Sequence, residues 1–160
     1  MHKLFFLLFL TTHLFHFTLL AKDIDLNTIV ENAKGKAVLL FFHKPNCGYC
    51  DHMIEFTLKD TDISSEIERN FVFVDLYTLE SGTIKFKDFK GSRKEFAKSL
   101  GYDFYPTTVF IDNKKNIINI TPGLREQDDY MKVLQYISSK KYEAMEFETY
   151  IDTLDFDSDS

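Results

Sequence analysis

Basic residues are in deficit in this chain: 19 Lys and Arg stand against 25 Asp and Glu, for a formal net charge of −6. A nucleic-acid binder needs a basic face to neutralise phosphates, so no nucleic-acid partner is expected. Cysteine is scarce too. Two cysteines in 160 residues exclude a small scaffold stapled by several disulfides. No internal repeat is present. What the chain does have is apolar surface: 44% of residues are hydrophobic and 16% aromatic. That is more than a disordered chain carries, and the length suits one globular domain.

Met1 to Ala21 (MHKLFFLLFLTTHLFHFTLLA) has a short start with Lys3, an apolar run from Leu4 to Leu20, and the small Ala21 before Lys22. This layout predicts a secretory signal peptide over residues 1–21. An uncleaved membrane anchor is the alternative, since the run nears the roughly 18 to 20 residues needed to span hydrocarbon. His13, His16 and three threonines make a stable span less favourable. Lys3 is the only charged residue in the segment, so its removal takes the net charge from −6 to −7. Export would also place both cysteines outside the reducing cytosol.

Apolar spacing predicts a helix over 24–33, stopped by Gly35, then a strand buried on both faces at 37–42 (AVLLFF). A helix from Tyr49 to about Leu58 follows, with 63–69 as its extension after a break. Residues 71–77 (FVFVDLY) read as a second buried strand, and 92–100 as a helix ending at Gly101. Strands at 107–111 and 117–120 are joined through Asp112–Lys115 as a hairpin, and 127–138 presents Tyr130, Val133, Leu134 and Ile137 on one helical face. Such an order predicts an α/β fold with a central mixed β-sheet flanked by helices on both faces. One domain is expected over 22–142. Residues 78–91 exceed an ordinary connection and read as an insertion or small hairpin. Residues 143–160 form an acidic C-terminal extension with seven acids and no base, in which Phe147, Ile151 and Leu154 are spaced as a short helix face.

Cys47-Gly48-Tyr49-Cys50 falls where the first buried strand gives way to a helix. Unpaired N–H groups and the positive end of the dipole stabilise a thiolate at such a point. Cys47 is expected in the first turn, its sulfur exposed and its pKa below the free value of about 8.5. Cys50, one turn on, lies within disulfide reach and points inward. Cys47 is therefore the expected attacking thiol and Cys50 the resolving one, with Gly48 and Tyr49 shaping the turn and tuning the potential. A structural disulfide and a zinc site are the rival readings. Zinc needs four ligands; His43 and His52 could complete a set, but their spacing fits no finger pattern, so no metal is expected. Both histidines read as structural, His43 closing a strand and His52 on a partly exposed helix face. Tyr105-Pro106-Thr107 is the second element. Pro106 stands just before a buried strand, where proline is disfavoured. A cis bond there would present the Tyr105 carbonyl and N–H beside the cysteines, for pairing with a substrate backbone as an added strand.

Together these features resemble the thioredoxin superfamily across most of the chain after residue 21. The matching pieces are AVLLFFHKPNCGYCDHM, FVFVDLY, YPTTVFIDNKKNIINITPG and the final helix. The nearest likeness is to exported thioredoxin-like proteins of the SoxW type, which also carry an insertion after the second central strand and a Tyr/Phe-rich tail, here KKYEAMEFETYI. The CGYC dithiol is similar to that of the bacterial periplasmic disulfide isomerase. The resemblance implies a thioredoxin-like fold, Cys47 as nucleophile, Cys50 as resolving thiol, Pro106 as a cis-proline, and Tyr105, Pro106 and Thr107 as the substrate-binding edge. It also implies a periplasmic thiol:disulfide oxidoreductase that reduces or isomerises disulfides of envelope proteins. Its partners would be cysteine-containing exported proteins and a membrane electron donor; it would act as a monomer without an organic cofactor. A net dithiol oxidase and a redox-inactive binding module on the same fold are the alternatives. The sequence also departs from the family. Asn46 replaces the tryptophan before the first cysteine, and the chain has no tryptophan at all. Phe41 replaces the buried aspartate, leaving water or Glu55 as proton acceptor for Cys50. Tyr105 before the proline resembles eukaryotic protein disulfide isomerase domains rather than the bacterial isomerase's threonine.

Overall fold

The most apolar run of the chain lies inside its principal sheet. In the computed structural model, which describes residues 22–158, strand β2 (Ala37–His43) pairs in parallel with β3 (Phe71–Tyr77) and antiparallel with β6 (Thr107–Ile111). Strand β7 (Ile117–Pro122) joins β6 antiparallel, giving the order β3-β2-β6-β7. Successive side chains of a strand point to opposite faces. Val38, Leu40 and Phe42 therefore pack with α1 (Leu26–Asn32) and α4 (Arg93–Ser99), while Leu39 and Phe41 pack with α3 (Thr61–Asn70) and α5 (Gln127–Ser138). With helices on both faces, β2 can be apolar at every position from Ala37 to Phe42. The expected α/β class with a central mixed sheet is the observed one.

β3 corrects one expectation. Its apolar sequence suggests burial on both faces, yet among the described residues it is an edge strand. Val72, Val74 and Leu76 pack against the core, whereas Phe73 on the other face is 41% exposed. The helix expected over 49–58 is also different. It begins as α2 (Gly48–His52) and continues as a π-helical segment, Met53–Leu58. Two side-chain bonds to the approach and start of α5 hold this widened stretch: the Thr57 hydroxyl donates to the Arg125 carbonyl at 2.8 Å, and Gln127 Nε2 donates to the Phe56 carbonyl at 2.9 Å.

The long connection after β3 is a hairpin of β4 (Ile84–Phe86) and β5 (Phe89–Gly91), and β1 (Ile24–Asp25) runs parallel to β4. This second, three-stranded sheet takes the first two residues of the expected 24–33 helix. Asp25 caps α1 instead, accepting the N–H groups of Asn27 and Thr28. At Gly82 (φ +115°) a Cβ would run into the Lys22 carbonyl, so this crossing requires glycine.

α4 opens on a capping box. The Ser92 hydroxyl accepts the Glu95 N–H at 3.2 Å, and the Glu95 carboxylate accepts the Ser92 N–H at 2.8 Å. The bonds to Ser92 hold the Glu95 carboxyl below its ordinary value, and Thr83 does the same for Asp23 through its backbone and hydroxyl. A carboxyl depressed on folding stabilises the fold above its unfolded pKa, and that contribution drains as pH falls through the folded one. Ser92→Ala is expected to lower stability by about 1 kcal/mol at neutral pH. It should also flatten the loss of stability below the ordinary Glu value of 4.5, an effect read from urea midpoints across pH.

Helix α6 (Phe147–Ser158) follows a 3₁₀ turn at Lys141–Glu143 and lies against α5. Tyr150 is buried, its ring 5.4 Å from that of Tyr136, and the Tyr136 hydroxyl donates to the Met145 carbonyl at 2.7 Å. Phe147, Ile151 and Leu154 are partly buried against the same core. The expected signal peptide, residues 1–21, lies outside the described residues. Among those described, no helix is long and apolar enough to cross a membrane.

Candidate active site

β2 ends at His43, and three residues turn the chain into α2. Asn46 takes a left-handed conformation (φ +54°), which asparagine tolerates better than most side chains. The turn delivers Cys47 to the N-cap of α2, one position before the expected first turn. Its sulfur accepts the Cys50 N–H at 3.2 Å, so a donor left unpaired at a helix start is aimed at the sulfur. Cys47 and Cys50 are joined as a disulfide with a Cα–Cα distance of 5.2 Å. Cys50 is fully buried.

The expected exposure of the Cys47 sulfur is corrected: the residue is only 7% exposed. The loop before β6 lies against it, with the Tyr105 carbonyl 3.7 Å from the Cys47 sulfur. In the dithiol form that carbonyl is a ready acceptor for the Cys47 S–H. The Tyr105–Pro106 bond is cis. Thr107, buried at the start of β6, donates its hydroxyl to the Phe104 carbonyl at 2.6 Å, and the Pro106 carbonyl accepts the Gly123 N–H at 2.8 Å. These bonds hold the loop in place. Gly48 and Tyr49 face outward. A side chain at Gly48 would meet open space, and Tyr49 is 69% exposed.

Other expected residues stand apart from the pair. His43 Nε2 sits 2.6 Å from Asp75 Oδ1, its ring between those of Phe41 and Tyr77. His52 meets Glu126 at 3.3 Å, and its ring lies tilted against that of Phe56 with centroids 4.8 Å apart. Glu55 gives its carboxylate to Lys59 at 2.6 Å on the exposed surface, not to the buried Cys50. Phe41, 1% exposed, fills the place of the family's aspartate. Among the described residues no three His, Cys, Asp or Glu converge as a metal site.

Sequence reasoning missed the cleft on the outer side of Tyr105. Lys44 places its ammonium 5.2 Å from the centre of the Tyr105 ring. Burial, and then the Asp103 charge, pushes the Tyr105 phenol above its ordinary pKa. Leu79 and Lys94 join Lys44 and Tyr105 around a cleft of about 480 Å³, and Phe104 is 71% exposed beside it. Leu79 lies in the connection after β3, whose path no local pattern specifies. Phe104 carried a weak signal, as the residue before Tyr105-Pro106.

A helix-capping cysteine, a buried partner one turn on and an adjacent cis-proline loop define a thioredoxin-fold protein with a C-x-x-C pair suited to thiol–disulfide exchange. The thioredoxin-like domain family matches residues 24–138, and the chain belongs to it. Three of the solved structures that share the fold show the likeness. A thioredoxin-fold protein from Helicobacter pylori is 22% identical, with a TM-score of 0.63 over 76% of this chain and 85% of that one. A thioredoxin from Thermus thermophilus is 23% identical, with a TM-score of 0.56 over 72% and 86%. The oxidised C-terminal domain of DsbD from Neisseria meningitidis is 15% identical, with a TM-score of 0.53 over 69% and 88%. No curated protein sequence matches the chain.

Proposed function

We propose that the protein is an exported thiol:disulfide oxidoreductase that reduces or isomerises disulfides of envelope proteins in the periplasm. The observation that carries this reading is the Cys47–Cys50 disulfide at the start of α2, its outer sulfur between the Cys50 N–H and the Tyr105 carbonyl. In the reducing direction the Cys47 thiolate attacks a substrate disulfide. That S–S bond breaks, a Cys47–substrate bond forms, and the second substrate sulfur leaves as a thiolate. The Cys50 thiolate then attacks the Cys47 sulfur, releasing the first substrate sulfur and restoring the Cys47–Cys50 bond. Two electrons from a membrane donor return the pair to the dithiol. Tyr105, Pro106 and Thr107 supply the backbone edge on which the substrate lies. No step calls for an organic cofactor. The layout of residues 1–21 supports export.

Equilibrated against glutathione and dithiothreitol buffers, the pair is expected to show a reduction potential near about −270 mV, the range of a reductase. Insulin reduction by dithiothreitol should accelerate in its presence. A potential near about −120 mV would mark a net dithiol oxidase instead. Absence of exchange with any substrate would leave a binding module.

A further inference from the structure

The end of the molecule away from the dithiol is basic. β2 is about 20 Å long; the cysteines follow its last residue, while Lys34 and Lys36 precede its first. A cleft of about 300 Å³ opens at that end. Four separate segments bring cations to it: the turn before β2 (Lys34, Lys36), the end of α3 (Arg69), the β6–β7 turn (Lys114) and the residues after α5 (Lys140). Only Asp112 and Glu143 oppose them among its lining residues. Asp112 keeps its charge but is turned onto its own loop, its carboxylate accepting the N–H groups of Lys114 and Asn116 and the Asn116 amide at 2.8, 2.7 and 3.0 Å, so the five cations still outnumber the two acids.

Lys36 donates to the Glu68 carbonyl at 2.8 Å, and Arg69 meets Glu66 at 3.6 Å. Lys34, Lys114 and Lys140 have no such partner among the described residues. Acids outnumber bases in this chain, 25 to 19, so five cations around one cleft run against its overall charge. Like charges gathered around a concave surface raise a local positive potential. A multiply charged anion relieves that repulsion. Phosphate offers several acceptor oxygens on one centre to ammonium and guanidinium donors at once.

We propose that this cleft binds a phosphate group, independently of the thiol–disulfide reading. The group can belong to an anionic lipid headgroup or to a free phosphorylated solute. In the lipid case the membrane would hold the basic end and leave the dithiol facing away from it.

The test uses the full chain at low salt, with pyrophosphate as the soluble probe. Phosphatidylglycerol vesicles serve as the lipid probe, corrected for phosphatidylcholine vesicles so that apolar insertion cancels. The variant K34E/K114E/K140E is compared with K85E/K87E/K90E, which changes the net charge equally on the β4–β5 hairpin. The parent and the hairpin variant are expected to bind, and the cleft variant to lose about a hundredfold in affinity. Lys34 and Lys140 have positive φ, so should the triple variant unfold, K114E alone provides the second measurement, with an expected loss of about fivefold. Binding to vesicles alone assigns the site to lipid, and binding to pyrophosphate alone assigns it to a solute. No binding to either, or equal loss in the hairpin variant, overturns the proposal.

Discussion

Cys50→Ser is expected to accumulate as covalent adducts with substrate proteins, and Cys47→Ser to form none. Of the two cysteines only Cys47 retains any exposure, at 7%, while Cys50 is fully buried. A substrate disulfide can therefore be reached only by Cys47. The Cys47 sulfur also holds the N-cap of α2 and receives the Cys50 N–H, a donor able to carry the negative charge of a thiolate. Once the mixed disulfide has formed, release depends on the Cys50 thiolate, 5.2 Å away at Cα, and the hydroxyl introduced by Cys50→Ser cannot replace it. Non-reducing electrophoresis should show high-mass bands for Cys50→Ser that collapse with dithiothreitol. Turnover on insulin should fall more than about a thousandfold in Cys47→Ser. Adducts on Cys47→Ser but not on Cys50→Ser would reverse the assigned roles.

Both cysteines and the Tyr105–Pro106 step were legible because their meaning is local: a C-x-x-C at a strand-to-helix junction, and a proline before an apolar strand. The cleft beside Tyr105 was not. Lys44 and Leu79 reach it through loops whose courses depend on the packing of the whole domain, and no periodic pattern marks them. The fold divides in the same way. β2 and α5 stand where the sequence places them, since their apolar patterns match the faces they bury. β3 was misjudged because an apolar run reports what its side chains prefer, not whether another strand lies beyond it. Within the second sheet the β4–β5 hairpin falls in the segment read as an insertion or small hairpin, but β1 was hidden because a strand of two residues is too short to show alternation. Glu55 was a reasonable candidate by distance in sequence, but its i,i+4 partner Lys59 draws it to the surface.

Arg93 was hidden for a stronger reason: at the start of a helix, arginine reads as a solvated side chain. It is instead fully buried and among the largest such side chains of the described residues. One guanidinium nitrogen donates to the carbonyls of Glu80 and Ser81, both at 2.8 Å. The other reaches the Lys22 carbonyl at 3.1 Å and the Glu80 carboxylate at 3.2 Å. The fork thus joins the start of the domain, the connection after β3 and α4 at one point. Arg93→Met is expected to lower stability by about 2 to 3 kcal/mol, because it removes the charged hydrogen bonds to three part-buried carbonyls that tie these segments together. Arg93→Lys should recover only part of this, since one ammonium cannot reproduce the two-armed geometry. Glu80→Gln should change stability by less than about 1 kcal/mol, because that carboxylate is 45% exposed and can return to water. Urea unfolding measures all three, and amide exchange at Ile24, whose N–H donates to the Thr83 carbonyl at 2.8 Å, reports whether the clamp opens locally first. The dithiol lies on other segments, so its reduction potential should stay at the parent value in every variant that remains folded. An Arg93→Met protein within about 1 kcal/mol of the parent would mean that this network merely accompanies the packing of the small sheet and does not hold it.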